Sequence, residues 1–146
     1  MNLIEKDILT VKEGIICQQV NCKGKMGTGI AYKFRKKWPE LFESYIEDHK
    51  SGHLKLGVTR FFKVNNNLFI ANIAAQNAYG RDKRYTDYMA LGSCLSQVND
   101  FSIENNLQIY IPFKMGCVNA GGNWDVVKKI IDNETSKTVV CRIRRK

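Results

Sequence analysis

The sequence is poor in residues that hold many small folds together through covalent or metal bonds. It has two histidines, and its five cysteines are an odd number, widely spaced and without a C-x-x-C pair. The cysteines are Cys17, Cys22, Cys94, Cys117 and Cys141. This pattern disfavours a disulfide framework and a structural zinc site, and it fits a reducing cytosol. We therefore expect a cytoplasmic protein that holds no metal ion.

Long apolar runs are missing as well. No uninterrupted stretch of about 18 apolar residues, the length that a membrane-spanning helix needs, occurs in the chain. The first seven residues already carry Glu5, Lys6 and Asp7, whereas a signal peptide needs an apolar segment. The sequence therefore predicts a soluble protein with no membrane partner.

Acidic side chains are also scarce. Asp and Glu number 14 against 23 Lys and Arg, which gives a formal net charge of +9. Four of the last five residues, 142–146, are cations. A positive field attracts nucleic acid or a small polyanion such as a nucleotide, whereas a basic chain end also simply raises solubility. Charge alone leaves these three interpretations open.

What the sequence does contain is a regular alternation of apolar segments. Its 146 residues, 44% of them hydrophobic, fit one domain with a sizeable core. Runs rich in β-branched residues predict strands, and helical spacing of apolar residues predicts helices. The predicted strands are Leu3–Val11, Gly14–Val20, Val58–Val64, Leu68–Ala74, Gln108–Pro112 and Thr138–Ile143. The predicted helices begin near Ile30, Pro39, Thr86 and Asn123. This alternation predicts an α/β sandwich with a mixed sheet.

Glycine is concentrated in two segments. The first follows the strand that ends at Val20 and precedes the amphipathic run that begins at Ile30. It places Gly24, Gly27 and Gly29 within six residues. Glycine permits positive φ and close approach to the main chain, and the start of a helix offers unpaired N–H groups to a phosphate. The spacing matches neither a P-loop nor a dinucleotide fingerprint, and a structural turn would use the same glycines.

The second glycine segment repeats this arrangement. The strand Ile109–Ile111 runs into residues 116–122, which contain Gly116, Gly121 and Gly122, and Asn123 then caps a helix. Loops at the carboxyl ends of central strands flank the crevice in which open α/β sheets bind ligands. Two such loops predict a clamp on one pyrophosphate.

Together these segments resemble the macrodomain family of ADP-ribose-binding modules, which includes enzymes that process ADP-ribose 1''-phosphate. The resemblance covers nearly the whole chain. It rests on residues 6–8, 21–31, 111–112 and 116–124. Residues 31–34 and Trp38-Pro39 are most similar to those of the small single-domain members, the yeast-type phosphatases and the terminal ADP-ribose glycohydrolases. The resemblance implies a three-layer α/β/α sandwich with a central mixed sheet, in which residues 1–146 form a single macrodomain.

The resemblance also implies roles for particular residues. Asp7 would accept from the adenine amino group beside the backbone of Ile8, and Asn21 would hold the distal ribose and act as the catalytic residue. The implied substrate-binding residues are Asp7, Ile8, Asn21, Lys23, Gly27, Thr28, Gly29, Ile30, Gly116, Cys117, Val118, Asn119, Ala120 and Gly121. The structural alternatives stay open: Asp7 and Asn21 are also typical turn residues, and Cys22 and Cys117 fit packing positions.

The chain departs from the family where catalysis is concerned. The glycohydrolase branch has a lysine nucleophile where this chain has Ala74–Asn77, and Ala120 stands in place of an Asp. A Schiff-base mechanism is therefore disfavoured. The phosphatase branch often has a histidine near the first loop, but His49 and His53 fall near a predicted helix end. Cys141 replaces an aromatic residue that often lies beside the adenine.

Catalysis by positioning remains, with main-chain N–H groups holding a terminal phosphate and an ordered water. The loop 79–85 would cover the distal end, where Arg81, Lys83 or Arg84 adds positive charge. Asp82 and Asp87 are candidate bases, although both also fit capping or surface roles.

Three hypotheses follow from the sequence. The first is a metal-independent and cofactor-free hydrolase that converts ADP-ribose 1''-phosphate, or a related derivative, to ADP-ribose. The second is a non-catalytic reader or sequestering module for free or protein-linked ADP-ribose. The third is a nucleic-acid-binding domain that uses the basic end of the chain. The sequence leaves the oligomeric state open.

Overall fold

The structure is a computed structural model that describes residues 1–27 and 29–143. Thr28, one of the predicted site residues, and the basic residues 144–146 lie outside the described part. The strands are β1 Asn2–Glu5, β2 Gly14–Asn21, β3 Thr59–Asn65, β4 Leu68–Gln76, β5 Ile109–Pro112 and β6 Thr138–Arg142. They form one sheet in the order β1-β6-β5-β2-β4-β3. Neighbouring strands are parallel except for β3, which is antiparallel to β4.

Four helices cover the two faces of this sheet. They are α1 Gly29–Lys37, α2 Pro39–Lys50, α3 Tyr88–Asn105 and α4 Trp124–Glu134. On one face, α3 and α4 bury Leu95 and Ile131 against the sheet, and on the other, α1 and α2 bury Phe34 and Leu41. This three-layer α/β/α sandwich with a mixed sheet confirms the predicted fold class. None of the helices in the described ranges has the length and apolar character needed to cross a membrane.

Local sequence explains most helix boundaries, with one correction. Trp38, with φ −125° and ψ 81°, leaves the helical region before Pro39, so α1 and α2 are separate helices. Asn123 caps α4 as predicted, accepting from the Asp125 N–H at 2.8 Å. The predicted cap Thr86 is wrong, because Asp87 accepts from the Ala90 N–H at 2.9 Å and begins α3.

The first predicted strand, Leu3–Val11, is too long. β1 ends at Glu5, and Ile8–Thr10 form a short 3₁₀ helix. The Asp7 carboxylate accepts from the Leu9 N–H at 3.0 Å and so caps this helix. The apolar residues beyond Asp7 therefore pack as a helical turn rather than alternating along a strand.

Candidate functional site

A cavity of about 730 Å³ lies at the carboxyl ends of the central parallel strands. The strands β2 and β5 are neighbours, and each leads into one glycine segment. Residues from 25–31 and from 112–120 consequently line the same cavity. The lining includes ten of the predicted site residues: Asp7, Ile8, Asn21, Gly27, Gly29, Ile30, Gly116, Val118, Asn119 and Ala120.

Asn21 organises the first loop from within. Its side chain is 6% exposed. Its Oδ1 accepts from the N–H groups of Lys23 at 3.0 Å and Lys25 at 3.4 Å, and its Nδ2 donates to the Lys25 carbonyl at 2.7 Å. The Tyr45 hydroxyl donates to the Asn21 carbonyl at 2.5 Å, and burial raises the pKa of Tyr45, so this donor keeps its proton. Asn21 therefore stabilises its own turn as well as lining the cavity.

Both loops contain main-chain N–H groups that have no acceptor within the described residues. In the first loop they lie at Met26, Gly27 and the start of α1, where the helix supplies a partial positive charge. In the second loop they belong to Gly116, Val118, Asn119 and Ala120. Two sets of unpaired donors beside one cavity suit an anionic ligand with more than one oxygen to bind.

Asn119, which lines the cavity, brings the two loops together. A Cβ built on Gly29 would lie 2.8 Å from the Asn119 Nδ2, and Gly29 has a φ of +61°. Both facts make glycine necessary there, because a side chain would collide and the backbone would be strained. The Asn119 Oδ1 also accepts from the Arg81 Nη2 at 2.9 Å. Loop 79–85 is thus tied to the point where the glycine loops touch.

Asp7 is the one carboxylate that lines the cavity within the described residues. Its Oδ1 accepts from the Leu9 N–H, so its other oxygen stays available to a donor. Phe113 also lines the cavity, with the Arg142 guanidinium 5.3 Å from its ring centre. Sequence reasoning missed Phe113, although an aromatic residue directly after Ile111-Pro112 was a usable signal. Cys141 also lines this region, and burial raises its pKa, which keeps the thiol neutral.

Positive charges outnumber negative ones on the cavity wall. Six described cations line it against the single carboxylate of Asp7: Lys6, Lys25, Lys33, Arg81, Lys114 and Arg142. The ion pairs in the described part of the chain, Met1 with Asp132 and Arg60 with Asp48, involve none of these six. The cavity therefore carries a positive field that favours a polyanion.

Two glutamines, which sequence reasoning did not select, line the cavity beside Asn21. The Gln19 Nε2 donates to the Gln76 Oε1 at 2.8 Å, and the Gln76 Nε2 donates to the Ala78 carbonyl at 2.9 Å. A polar pair at the ends of otherwise apolar strands was the available signal. Gln76 occupies the segment in which the sequence lacks a lysine, and both ends of its amide are engaged by protein groups.

Three predicted residues are not among the described residues that line the cavity. The Lys23 side chain is exposed. Cys117 packs against the core beneath α3 and α4, and its thiol lies 3.5 Å from the Met115 carbonyl. Gly121 packs against the backbone of Arg84, which lies 3.1 Å from where its Cβ would be.

Of the three candidate cations of loop 79–85, one lines the cavity and two lie over aromatic rings. Arg81 lines the cavity, whereas Lys83 lies over the Tyr85 ring and Arg84 over the Tyr88 ring. The candidate base Asp82 accepts from the Tyr85 hydroxyl at 2.6 Å, which lowers the pKa of its carboxyl. This bond holds Asp82 ionised at the surface.

Histidines and metal ligands do not assemble in the described residues. His53 Nδ1 lies 2.8 Å from the Ser51 hydroxyl at the exposed end of α2, and His49 is exposed. Within the described ranges, His, Cys, Asp and Glu form no group of three or more that could hold a metal ion.

No family model matches the sequence. An uncharacterized 17.5 kDa protein of Enterobacteria phage T4 is 30% identical over 130 residues, which cover 84% of this chain and 80% of the phage protein. An ADP-ribose 1''-phosphate phosphatase of Meyerozyma guilliermondii is 28% identical over 60% of this chain and 59% of its own. A DNA ADP-ribosyl glycohydrolase of Mycobacterium tuberculosis is 37% identical over 35% of this chain and 14% of its own.

Solved structures show the same architecture. A Bacteroides thetaiotaomicron protein superposes with a TM-score of 0.88 at 28% identity, covering 97% of this chain and 99% of that one. The macrodomain of Mycobacterium tuberculosis DarG gives a TM-score of 0.82 at 20% identity, covering 98% and 97%. Thermosipho africanus DarTG, solved in complex with ADP-ribose, gives 0.81 at 15% identity, covering 99% of this chain and 42% of that one. The chain belongs to one family with the phage T4 protein, and its fold is that of the macrodomains.

Proposed function

We propose that residues 1–146 act as a single ADP-ribose-binding macrodomain. The observation that carries this proposal is that both glycine loops line one cavity of about 730 Å³ and hold main-chain N–H groups with no acceptor among the described residues. A diphosphate bridges two walls of donors, whereas a single phosphate needs only one. The structure of Thermosipho africanus DarTG with ADP-ribose, which has the same fold, supports this choice of nucleotide.

The orientation of the nucleotide follows from the two chemically different parts of the wall. Adenine carries an amino donor, and Asp7 supplies the carboxylate oxygen that can accept from it, with Phe113 among the neighbouring residues of the lining. The distal ribose then lies toward Asn21, Gly27 and Arg81. The loop residues that line the cavity, among them Gly29, Ile30, Val118, Asn119 and Ala120, surround the diphosphate and distal ribose in this arrangement.

We further propose that the bound derivative is ADP-ribose 1''-phosphate and that the protein hydrolyses it to ADP-ribose and phosphate. Six cations against one carboxylate favour a ligand with a terminal phosphate over one with a neutral distal end. The Meyerozyma guilliermondii relative is named for this phosphatase activity.

The reaction would proceed by attack of water on the terminal phosphorus, with cleavage of the phosphorus bond to the 1''-oxygen, which takes up a proton. Arg81 and loop N–H groups would stabilise the charge on the phosphoryl oxygens, and Asn21 would position the loop. Because Asp7 belongs to the adenine end, no described carboxylate of the cavity wall serves as the base. A slow reaction is therefore expected.

The decisive experiment is calorimetric titration with ADP-ribose, followed by measurement of phosphate released from ADP-ribose 1''-phosphate. Binding with release supports the hydrolase. Binding without release leaves the reader or sequestering module, and absence of binding overturns the nucleotide assignment.

Oligonucleotide binding that is steeply salt-dependent, and that disappears on deletion of residues 142–146, would instead support the nucleic-acid hypothesis.

Asp7→Asn tests the adenine end. The amide oxygen still caps the 3₁₀ helix by accepting from the Leu9 N–H, so the free energy of unfolding should be unchanged. The amide then turns an N–H₂ group toward the adenine amino group, and affinity for ADP-ribose should fall about tenfold, the equivalent of ~1.4 kcal/mol. Unchanged affinity, measured by calorimetry, would remove Asp7 from the site.

Arg81→Met tests the distal end, and Arg84→Met is the matched control because Arg84 lies over the Tyr88 ring and is not in the described cavity lining. Arg81→Met removes a charge-assisted contact to the terminal phosphate. The affinity for ADP-ribose 1''-phosphate should therefore fall by about tenfold or more relative to the affinity for ADP-ribose. The control should change the ratio of the two affinities little. Equal effects of both variants would contradict the role of Arg81.

A further inference from the structure

Behind the cavity wall, a buried polar chain ends on the second glycine loop. The Gln19 Nε2 donates to the Thr86 Oγ1 at 2.8 Å, and the Thr86 hydroxyl donates to the Gly116 carbonyl at 2.6 Å. Thr86 is 1% exposed and is not among the described residues that line the cavity. It precedes the cap of α3, so its hydroxyl is not needed to begin that helix.

The Gly116 carbonyl is held by a second donor besides Thr86. It also accepts from the Gly122 N–H at 2.9 Å. A Cβ at position 116 would lie 2.6 Å from the Gln19 Oε1, and one at position 122 would lie 2.6 Å from the carbonyl itself. The following N–H, that of Cys117, donates to the Lys114 carbonyl at 2.9 Å. The peptide unit between Gly116 and Cys117 is therefore fixed at both ends.

Fixing this one peptide unit sets the direction of its neighbours. The N–H groups of Gly116 and Val118 flank it, have no acceptor within the described residues, and belong to residues that line the cavity. Preorganised donors bind an anion more tightly than donors that must first be ordered, because the ordering cost is already met on folding.

We propose that Thr86, oriented by Gln19, is a positioning residue. It directs the second loop toward the second phosphate of the bound diphosphate, the one that ADP has and AMP lacks. This inference rests on the proposed function. The buried Thr86 hydroxyl, which lies outside the cavity, thereby takes part in phosphate recognition. Neither the glycine pattern nor the family resemblance indicated this role.

The test uses ADP and AMP, which differ by one phosphate, with the full chain. Thr86→Val keeps the shape but removes the hydroxyl, and Thr86→Ser restores it. The ratio of the AMP Kd to the ADP Kd should fall about fivefold to tenfold in Thr86→Val and return to within about twofold of the wild-type ratio in Thr86→Ser. A purely structural role would weaken both ligands equally and leave the ratio unchanged, which would overturn the proposal.

Gln19→Met keeps the test falsifiable should Thr86→Val fail to fold. It removes the donor to Thr86 together with the buried Gln19 Oε1, which has no hydrogen-bond partner within the described residues. It should lower the same Kd ratio, and an unchanged ratio in folded Gln19→Met would contradict the inference. If the wild-type protein fails to bind ADP-ribose, the proposed function itself fails. If it binds ADP-ribose but the variants leave the ratio unchanged, only the role of Thr86 is lost.

Discussion

Some residues of the cavity wall have little room for a larger side chain, and Gly116 is the clearest case. Its φ is +78°, and a Cβ there would meet the Gln19 Oε1 at 2.6 Å and the Thr86 Oγ1 at 3.1 Å. Gly116→Ala should therefore lower the free energy of unfolding by about 2–4 kcal/mol, from backbone strain plus collision, and abolish ADP-ribose binding. Urea unfolding and calorimetry measure the two effects.

Two other glycines provide controls for Gly116→Ala. Gly52 has nearly the same φ, +78°, but nothing lies within 4 Å of its Cβ position, so Gly52→Ala isolates the backbone cost of ~1–2 kcal/mol. Gly27 has no positive φ, and apart from its chain neighbours none of the described residues comes within 4 Å of its Cβ position. Gly27→Ala should therefore leave stability nearly unchanged. Equal losses at positions 116 and 52 would show that the contact with Gln19 contributes nothing.

At this scale, sequence reasoning identified the glycine loops but could not separate the tasks of individual side chains. Asn21 lines the cavity and also satisfies its own turn, and the two roles produce the same residue at the same place. The role of Gln19 could not be predicted, because its partners Gln76 and Thr86 lie 57 and 67 positions away in the chain. Such pairs become visible only when the strands are placed side by side.

Among the secondary-structure elements, the start of α3 offers a direct test. Asp87 caps this helix, and it was also a candidate base. Asp87→Ala should lower the free energy of unfolding by about 1 kcal/mol because the Ala90 N–H loses its acceptor. Asp87→Asn should keep both stability and any phosphate release, since an amide oxygen also caps a helix. Loss of phosphate release in a stable Asp87→Asn protein would instead assign Asp87 to catalysis.

Most elements could be predicted because their signals are local. Pro39 separates α1 from α2, and the consecutive Asn residues 65–67 join β3 to β4. The error at Leu3–Val11 arose because a run of apolar residues has no fixed period, so a strand and a 3₁₀ turn look alike until the Asp7 cap is seen. Competition between two neighbouring capping residues, Thr86 and Asp87, explains the other error.

For the molecule as a whole, buried thiols predict a characteristic loss of stability in alkali. Burial raises the pKa of Cys94 and of Cys117 to about 11 from the ordinary 9.0. Between these values the unfolded chain releases thiol protons that the folded chain retains, so the free energy of unfolding falls as pH rises. Below pH 9 both states keep these protons, and the contribution is constant.

Cys94→Ser isolates this effect, because a hydroxyl does not ionise in that range. The decline in the free energy of unfolding from about pH 9 to 11, measured by urea titration, should be shallower in the variant than in the wild type. Parallel pH profiles would show that the Cys94 thiol ionises equally in both states. Other groups that titrate there, including Tyr45, are common to both proteins and cancel in the comparison.

The overall architecture was predictable to the level of its layers but not of its strand order. Alternating helices and strands indicated a sandwich, whereas β1 lies beside β6, with Asn2 opposite Val139. That pairing joins segments about as far apart as the chain allows, and no local pattern encodes it. The resemblance to macrodomains implied three layers and a mixed sheet, which the structural relatives confirm, but it did not give the strand order.

The contact of Asn119 with Gly29 and Arg81 has a kinetic consequence. If the bound diphosphate lies behind that contact, the nucleotide enters only while the segments are parted, and the fraction of time for which they are parted then limits capture. In rapid mixing, the observed association rate should level off at high nucleotide concentration. Asn119→Ala should lift that plateau and shorten the lifetime of the complex.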